Sequence, residues 1–110
     1  MMQAPEAVQA LGALAHEHRL GIYRMLVEQG PDGLAAGTIA ERLGVPGSSL
    51  TFHLQHLQRA GLIVQRRAGR QLIYAADFVQ MNTLIGFLTE NCCGRGQNAC
   101  VPLATECASE

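Results

Sequence analysis

The 110-residue sequence lacks the features of a membrane-spanning or secreted protein. No uninterrupted apolar run approaches the roughly 20 residues that a bilayer-spanning helix needs. The first ten residues, MMQAPEAVQA, also lack the basic start of a secretory signal. We therefore expect a cytoplasmic protein with no membrane partner. The chain is also too short for two well-cored domains, so binding and sensing functions are expected to share one scaffold.

Acidic residues are missing from one long stretch of the chain. Residues 1–41 hold two Arg against five acids, and residues 77–110 hold one Arg against four acids. Residues 42–76 hold five Arg and no acid, although the whole chain has a net charge of only −1. Because arginine displaces the counterions condensed on nucleic acid, this stretch indicates a surface that meets phosphate. An ordinary solvated face is the alternative interpretation of charge alone.

Apolar residues recur at helical spacing in five segments. Ala7, Leu11 and Leu14 mark the first, and the other helices are expected at about 18–29, 37–43, 48–60 and 77–91. The segment Gly44-Val45-Pro46-Gly47 makes a tight break before the fourth helix. Ser48 is expected to be the N-cap of that helix.

The fourth predicted helix has one apolar face and one hydrogen-bonding face. Leu50, Leu54 and Leu57 follow the i, i+4, i+7 spacing of a buried stripe. The other face presents hydrogen-bonding side chains and no acid: Ser49, Thr51, His53, Gln55, His56, Gln58 and Arg59. A short helix, a glycine-containing turn and a polar-faced second helix predict a helix-turn-helix, whose second helix reads base edges in the major groove.

Two β-prone runs follow this helix. Residues 62–67 and 71–75 are joined by Ala68-Gly69-Arg70, which predicts a two-stranded hairpin, the wing of a winged helix. Arg66, Arg67 and Arg70 cluster near its tip, where they are expected to reach phosphates or the minor groove. The fold class we expect is mainly α, a winged helix-turn-helix with about five helices plus the two-stranded wing. The final helix carries an apolar stripe that suits either a dimer interface or packing against the first helix.

Cysteine is absent from the first 91 residues. All four cysteines lie in the last 19 residues, as Cys92, Cys93, Cys100 and Cys107. In a cytosolic protein such a cluster indicates soft-ion binding or redox chemistry rather than a structural disulfide. We therefore divide the chain into a DNA-binding and dimerisation domain at 1–91 and a Cys-rich inducer-binding tail at 92–110.

Residues 10–90 resemble the ArsR/SmtB family of arsenic- and metal-sensing winged-helix repressors. The resemblance rests on LGALAHEHRLGIYRMLVEQG and on IAERLGVPGSSLTFHLQHLQRAGLIVQRRAGRQLIY, within which SSLTFHLQHLQRAGLI is the most specific run. It implies a homodimer that places two recognition helices in successive major grooves of a palindromic operator. It also implies a set of DNA-facing residues: Ser48, Ser49, Thr51, His53 and His56.

Histidine offers a competing interpretation of the recognition helix. His53 and His56 have an i, i+3 spacing that is compatible with metal ligation, but the sequence places no carboxylate or thiol beside them to complete a site. DNA contact is therefore favoured for both. His16 and His18 are interpreted as a helix-start residue and a surface residue.

The family resemblance also bears on the cysteines. The family's common arsenic site is a cysteine pair in the helix before the recognition helix, but here that helix reads AAGTIAERL and has no thiol. The segment LTENCCGRGQNAC instead resembles arsenic-responsive members that have a C-terminal cysteine triad. Trivalent arsenic takes three thiolates as a pyramid, whereas structural zinc takes four ligands as a tetrahedron. We predict an arsenic(III) site at Cys92, Cys93 and Cys100, with Cys107 dispensable.

Other ligands and other functions stay open from the sequence. Zinc or cadmium are alternative inducers, as is a methylated trivalent arsenical held by two thiolates alone. A repressor switched by disulfide formation is a further alternative. A thiol enzyme such as an arsenate reductase is disfavoured, because no cysteine follows a predicted strand with a phosphate-cradling loop.

Overall fold

The computed structural model describes residues 2–90 of the chain. In this part the element order is α1 (Ala4–Leu14), α2 (Glu17–Gln29), β1 (Leu34–Ala35), α3 (Ala36–Leu43), α4 (Gly47–Arg59), β2 (Ile63–Ala68), β3 (Gln71–Ala76) and α5 (Phe78–Leu88). The expected winged helix-turn-helix is confirmed, with α3 and α4 as the helix pair and β2 and β3 as the wing. The predicted boundary at residue 91 and the Cys-rich tail lie outside the described residues.

The sheet has one strand more than the sequence predicted. Strand β1 pairs antiparallel with β3, so that Leu34 lies opposite Tyr74, and the strand order is β1-β3-β2. Gly33 has a φ of +74° directly before β1, and a Cβ at this position would collide with the backbone carbonyl oxygen of Tyr74. This close approach lets the chain leave the turn after α2 and join the sheet at once.

The turn between α3 and α4 differs from expectation at its second half. Gly44 ends α3 with a φ of +77°, the left-handed conformation typical of a glycine after a helix. Helix α4 begins at Gly47 with Pro46 as its N-cap, so the prediction of Ser48 as the N-cap is wrong. The φ of Pro46 is fixed near the value it has here, −62°, and its carbonyl accepts the first helical hydrogen bond from the Leu50 N–H at 3.0 Å.

One hydrophobic core holds α4 and the wing against the other helices. Its largest fully buried side chains come from α2, α3, α4 and the start of the wing: Ile22, Leu26, Ile39, Leu50, Leu54, Leu57 and Leu62. The predicted apolar stripe of α4 is therefore confirmed as its inner face. Within the described part of the chain, no helix is long and apolar enough to cross a membrane.

Candidate nucleic-acid interface

Helix α4 presents a polar face to solvent because its leucines occupy the other side. Ser48, Ser49 and Thr51 are exposed in its first two turns, and His56 is half-buried farther along. The Thr51 hydroxyl donates to the Gly47 carbonyl oxygen at 2.9 Å, which leaves its acceptor lone pairs and its methyl group available on an exposed residue. These groups suit the donors, acceptors and thymine methyl of the major groove, and contact between these four residues and DNA stays a prediction.

Phe52 is an exposed residue on this face that sequence reasoning did not single out. Its side chain is 58% exposed, and its ring lies 5.7 Å from that of His53 and 5.8 Å from that of His56. It lies three residues after Ser49 and four before His56, about one turn of 3.6 residues in each direction, so it belongs to the same side of the helix. An aromatic ring in the middle of this surface offers apolar contact to a thymine methyl.

The three wing arginines differ in whether their side chains have hydrogen-bond partners. Arg67 and Arg70 are exposed, and the hydrogen bonds found among the described residues do not involve either side chain. The Arg66 guanidinium instead donates to the backbone carbonyl oxygens of Asp32 at 2.8 Å and Pro31 at 3.5 Å. The side chain thus ties the wing to the turn that follows α2. All three remain predicted phosphate contacts, but only Arg67 and Arg70 reach toward solvent without a partner among the described residues.

His53 does not face the DNA side of α4, which corrects the prediction made from the family resemblance. Its side chain is only 6% exposed. At 3.6 residues per turn, position 53 lies about 40° around the helix axis from position 57, which is a core leucine. The imidazole is therefore on the inner side of the helix. Burial is the main cause that lowers the pKa of His53, and electrostatic interaction with His16 and Arg19 lowers it further.

His53 meets two other histidines instead. His16 is the N-cap of α2, where its Nδ1 accepts the His18 backbone N–H at 3.1 Å. The ring centroid of His53 lies 4.7 Å from that of His16 and 5.5 Å from that of His18. The predicted roles of His16 at a helix start and His18 near the surface agree with this arrangement. Their contact with His53 was missed, since it joins positions more than 30 residues apart.

Exposed apolar side chains also lie on the two terminal helices, and we call this set the α1/α5 apolar face, although Val79 lies about half a turn around α5 from Leu88. It consists of exposed hydrophobic side chains: Val8, Leu11, Val79, Ile85 and Leu88. Helix α1 contacts α5, and Leu84 of α5 is buried in the core. Helix α5 therefore packs against α1 and also exposes apolar surface. The sequence had left packing against the first helix and a dimer interface as alternatives. Cys92, Cys93 and Cys100 follow α5 but lie outside the described residues.

Comparisons with known proteins agree with this geometry. Residues 14–66 match a family model described as a helix-turn-helix domain. The chain is 32% identical over 92 residues to the transcriptional activator HlyU of Vibrio cholerae, covering 84% of this chain and 82% of HlyU. The solved structure of HlyU superposes with a TM-score of 0.66 at 31% identity, covering 80% of this chain and 95% of HlyU.

Two further solved structures are named for the family itself. An ArsR-like transcriptional regulator from Rhodococcus sp. RHA1 has a TM-score of 0.68 at 30% identity, covering 76% of each chain. A homodimeric winged helix-turn-helix DNA-binding domain from Mycobacterium bovis, described as a possible ArsR-family regulator, has a TM-score of 0.63 at 27% identity. It covers 79% of this chain and 81% of that domain. The chain therefore belongs to the ArsR/SmtB family of winged helix-turn-helix, DNA-binding transcriptional regulators.

Proposed function

We propose that the protein is a homodimeric, cytoplasmic repressor that binds operator DNA and releases it when trivalent arsenic binds Cys92, Cys93 and Cys100. The observation that carries the DNA-binding part is the acid-free surface formed by the exposed face of α4 and the wing. The arsenic part rests on the chemistry of three thiols in a short segment. No enzymatic role is proposed.

In this proposal the recognition helix contacts base edges and the wing contacts phosphates. The exposed hydroxyls of Ser48, Ser49 and Thr51 lie in the first two turns of α4. In helix-turn-helix proteins, the N-terminal residues of the recognition helix are the ones that contact base edges. Arg67 and Arg70 supply phosphate contacts beside the groove, which set register and most of the affinity.

The α1/α5 apolar face supports the homodimer. Val79 is 78% exposed and Val8 is 68% exposed, so each leaves branched aliphatic surface in contact with water. Burial of these residues against a second copy is favourable by about 25 cal/mol per Å² of apolar surface. The Mycobacterium bovis relative is homodimeric by description. A twofold dimer would place its two recognition helices about 34 Å apart, one turn of DNA.

The position of the cysteines links arsenic to this dimer. Cys92 follows the last residue of α5, Leu88, by only four positions. A pyramidal arsenic–thiolate site there pulls on the end of a helix that contributes to the proposed interface. An allosteric coupling of roughly 1–3 kcal/mol would lower operator affinity about 5- to 150-fold. HlyU is named an activator, so repression by this chain is not taken from that relative. Repression is itself part of the proposal.

A fluorescence-anisotropy titration tests the proposal. The reduced protein first enriches its own target from a random pool of DNA duplexes, and the labelled target is then titrated with and without arsenite. We expect arsenite to weaken binding by the wild-type chain and by Cys107→Ser, but not by Cys100→Ser. Unchanged affinity of the wild-type chain at saturating arsenite refutes the arsenic part and leaves DNA binding intact. Failure to enrich any duplex refutes both parts.

The same titration separates the alternative inducers. A methylated trivalent arsenical needs only Cys92 and Cys93, so it would still release DNA from Cys100→Ser. Zinc or cadmium would release DNA from the wild-type chain. If Cys107 is the fourth metal ligand, Cys107→Ser would bind these ions more weakly. A redox switch would respond to oxidant without any added ion and would be reversed by a thiol reductant.

A further inference from the structure

Three histidines from distant parts of the chain converge beside the recognition helix. His16 and His18 lie at the start of α2, and His53 lies in the second turn of α4. Each offers one ring nitrogen, and the three nitrogens all lie within 4.8 Å of one another. Among the described residues this is the one group of three or more potential ligands that is close enough to hold a metal ion.

The buried member of the cluster has an unmet bonding requirement. The Nδ1 atom of His53 is inaccessible to water and has no hydrogen-bond partner among the described residues. Leaving a buried polar atom without a partner is costly, and native structures rarely do so without a reason such as an ion that fills the position. The rings of His16 and His18 lie beside it, with centroids 4.7 Å and 5.5 Å from that of His53, but neither ring donates a hydrogen bond to this atom.

We propose that His16, His18 and His53 form a binding site for a divalent transition-metal ion of the zinc class, separate from the C-terminal cysteines. Neutral imidazole nitrogen is a preferred ligand for zinc, copper and nickel, whereas calcium and magnesium require oxygen ligands. Three histidines leave a fourth tetrahedral position for water, as in open zinc sites. The site contains no carboxylate or thiol among the described residues.

Metal binding requires only a small closing movement. A tetrahedral ion with Zn–N bonds of about 2.05 Å holds its nitrogens roughly 3.3 Å apart. His16 is exposed and His18 is half-buried, so both rings can rotate toward the fixed ring of His53. Ligation through either nitrogen of His16 ends its cap bond to the His18 N–H, because the remaining nitrogen then carries the proton. The ion therefore replaces one exposed hydrogen bond with a link between two helices.

That link has a specific structural effect. His53 belongs to the helix that carries the proposed base-reading residues, while His16 and His18 belong to the start of α2. A bound ion fixes the tilt of α4 relative to α2 from the inner side of the helix. Its chemistry does not depend on the arsenic ligands, so loss of all four thiols leaves it intact.

Cobalt(II) titration of a cysteine-free full-length chain tests the site. The chain has Cys92, Cys93, Cys100 and Cys107 replaced by Ser, so any metal it binds is held without sulfur. Cobalt is a spectroscopic substitute for zinc whose visible d–d bands report coordination geometry. We expect one ion per chain, bands without thiolate charge transfer, and displacement by an equivalent of zinc.

Two variants and one matched control are compared in this cysteine-free background. We expect His18→Ala to weaken cobalt binding by at least about tenfold, because loss of a partner that only orients a metal ligand already costs about that much. His16→Asn is expected to weaken it similarly while keeping an N-cap acceptor on α2. His56→Ala removes a histidine of the same helix as His53 but outside the cluster, and it is expected to bind like the parent.

Thermal unfolding with and without zinc gives an independent measurement. Zinc should raise the Tm of the cysteine-free parent and of His56→Ala, but not that of His18→Ala. Absence of cobalt binding by the cysteine-free chain overturns the proposal, as does equal affinity of His18→Ala and His56→Ala. The test needs no operator, so its result is independent of the arsenic and DNA-binding proposals.

Discussion

Replacement of Arg67 tests whether the wing contacts phosphate. The side chain is exposed in β2, and no partner for it is found in the part of the chain that the structure describes. Arg66, its neighbour in the same strand, has the same charge but donates to the carbonyl oxygens of Pro31 and Asp32. The two residues form a matched pair, because either change to Ala removes one charge from the wing.

The expected magnitude follows from counterion release. Each phosphate neutralised on B-DNA contributes about 0.9 to the slope of log K against log salt concentration. A homodimer carries two copies of Arg67, so Arg67→Ala should reduce the slope by about 1.8. Over a fourfold rise in salt, from about 50 to about 200 mM, the affinity advantage of the wild type should shrink about 12-fold.

Fluorescence anisotropy of the enriched duplex at several salt concentrations measures this slope. Arg66→Ala should change the slope by less than half as much as Arg67→Ala, because its guanidinium is already held by two carbonyls. It should also lower the free energy of unfolding by about 1 kcal/mol, the net value of a typical hydrogen bond. Equal slopes for Arg67→Ala and the wild type would show that Arg67 does not contact phosphate.

Three other substitutions probe the sheet, the dimer and base reading. Gly33→Ala should lower the free energy of unfolding in urea by about 1–3 kcal/mol, because alanine is strained at positive φ. Gly12→Ala, in open space on α1, should raise it by about 0.5–1 kcal/mol. Equal urea midpoints for the two variants would contradict this. Val79→Glu should dissociate the dimer in sedimentation velocity, and Val64→Glu on the wing should not; an intact Val79→Glu dimer would place the interface elsewhere. Ser49→Ala should reduce discrimination between the enriched duplex and a random one by about 1–2 kcal/mol without changing the salt slope, and an unchanged ratio would remove Ser49 from base reading.

Periodicity predicted the helices and the inner face of α4 because helical burial follows a fixed repeat. Leu50, Leu54 and Leu57 are all buried, and the wing forms between the expected turns. The same repeat, applied to position 53, argues for burial. The family resemblance instead implies a DNA-facing residue at this position, and the buried side chain of His53 does not fit that implication.

Contacts between distant segments were beyond sequence reasoning. Strand β1 has only two residues, too few to show an alternating pattern, and it exists because β3 has a free edge beside it. The bonds from Arg66 to Asp32 and the convergence of His16 with His53 join positions that no local spacing relates. Such contacts depend on how the helices pack, which the order of residues alone does not specify.

The bonds from Arg66 also make the turn at residues 30–33 a determinant of where the wing points. The guanidinium donates to two consecutive carbonyl oxygens of that turn. A one-residue insertion in the turn would therefore change the orientation of the hairpin without replacing any residue proposed to contact DNA. Related proteins that differ only in the length of this turn would then prefer different distances between the halves of their target sequences.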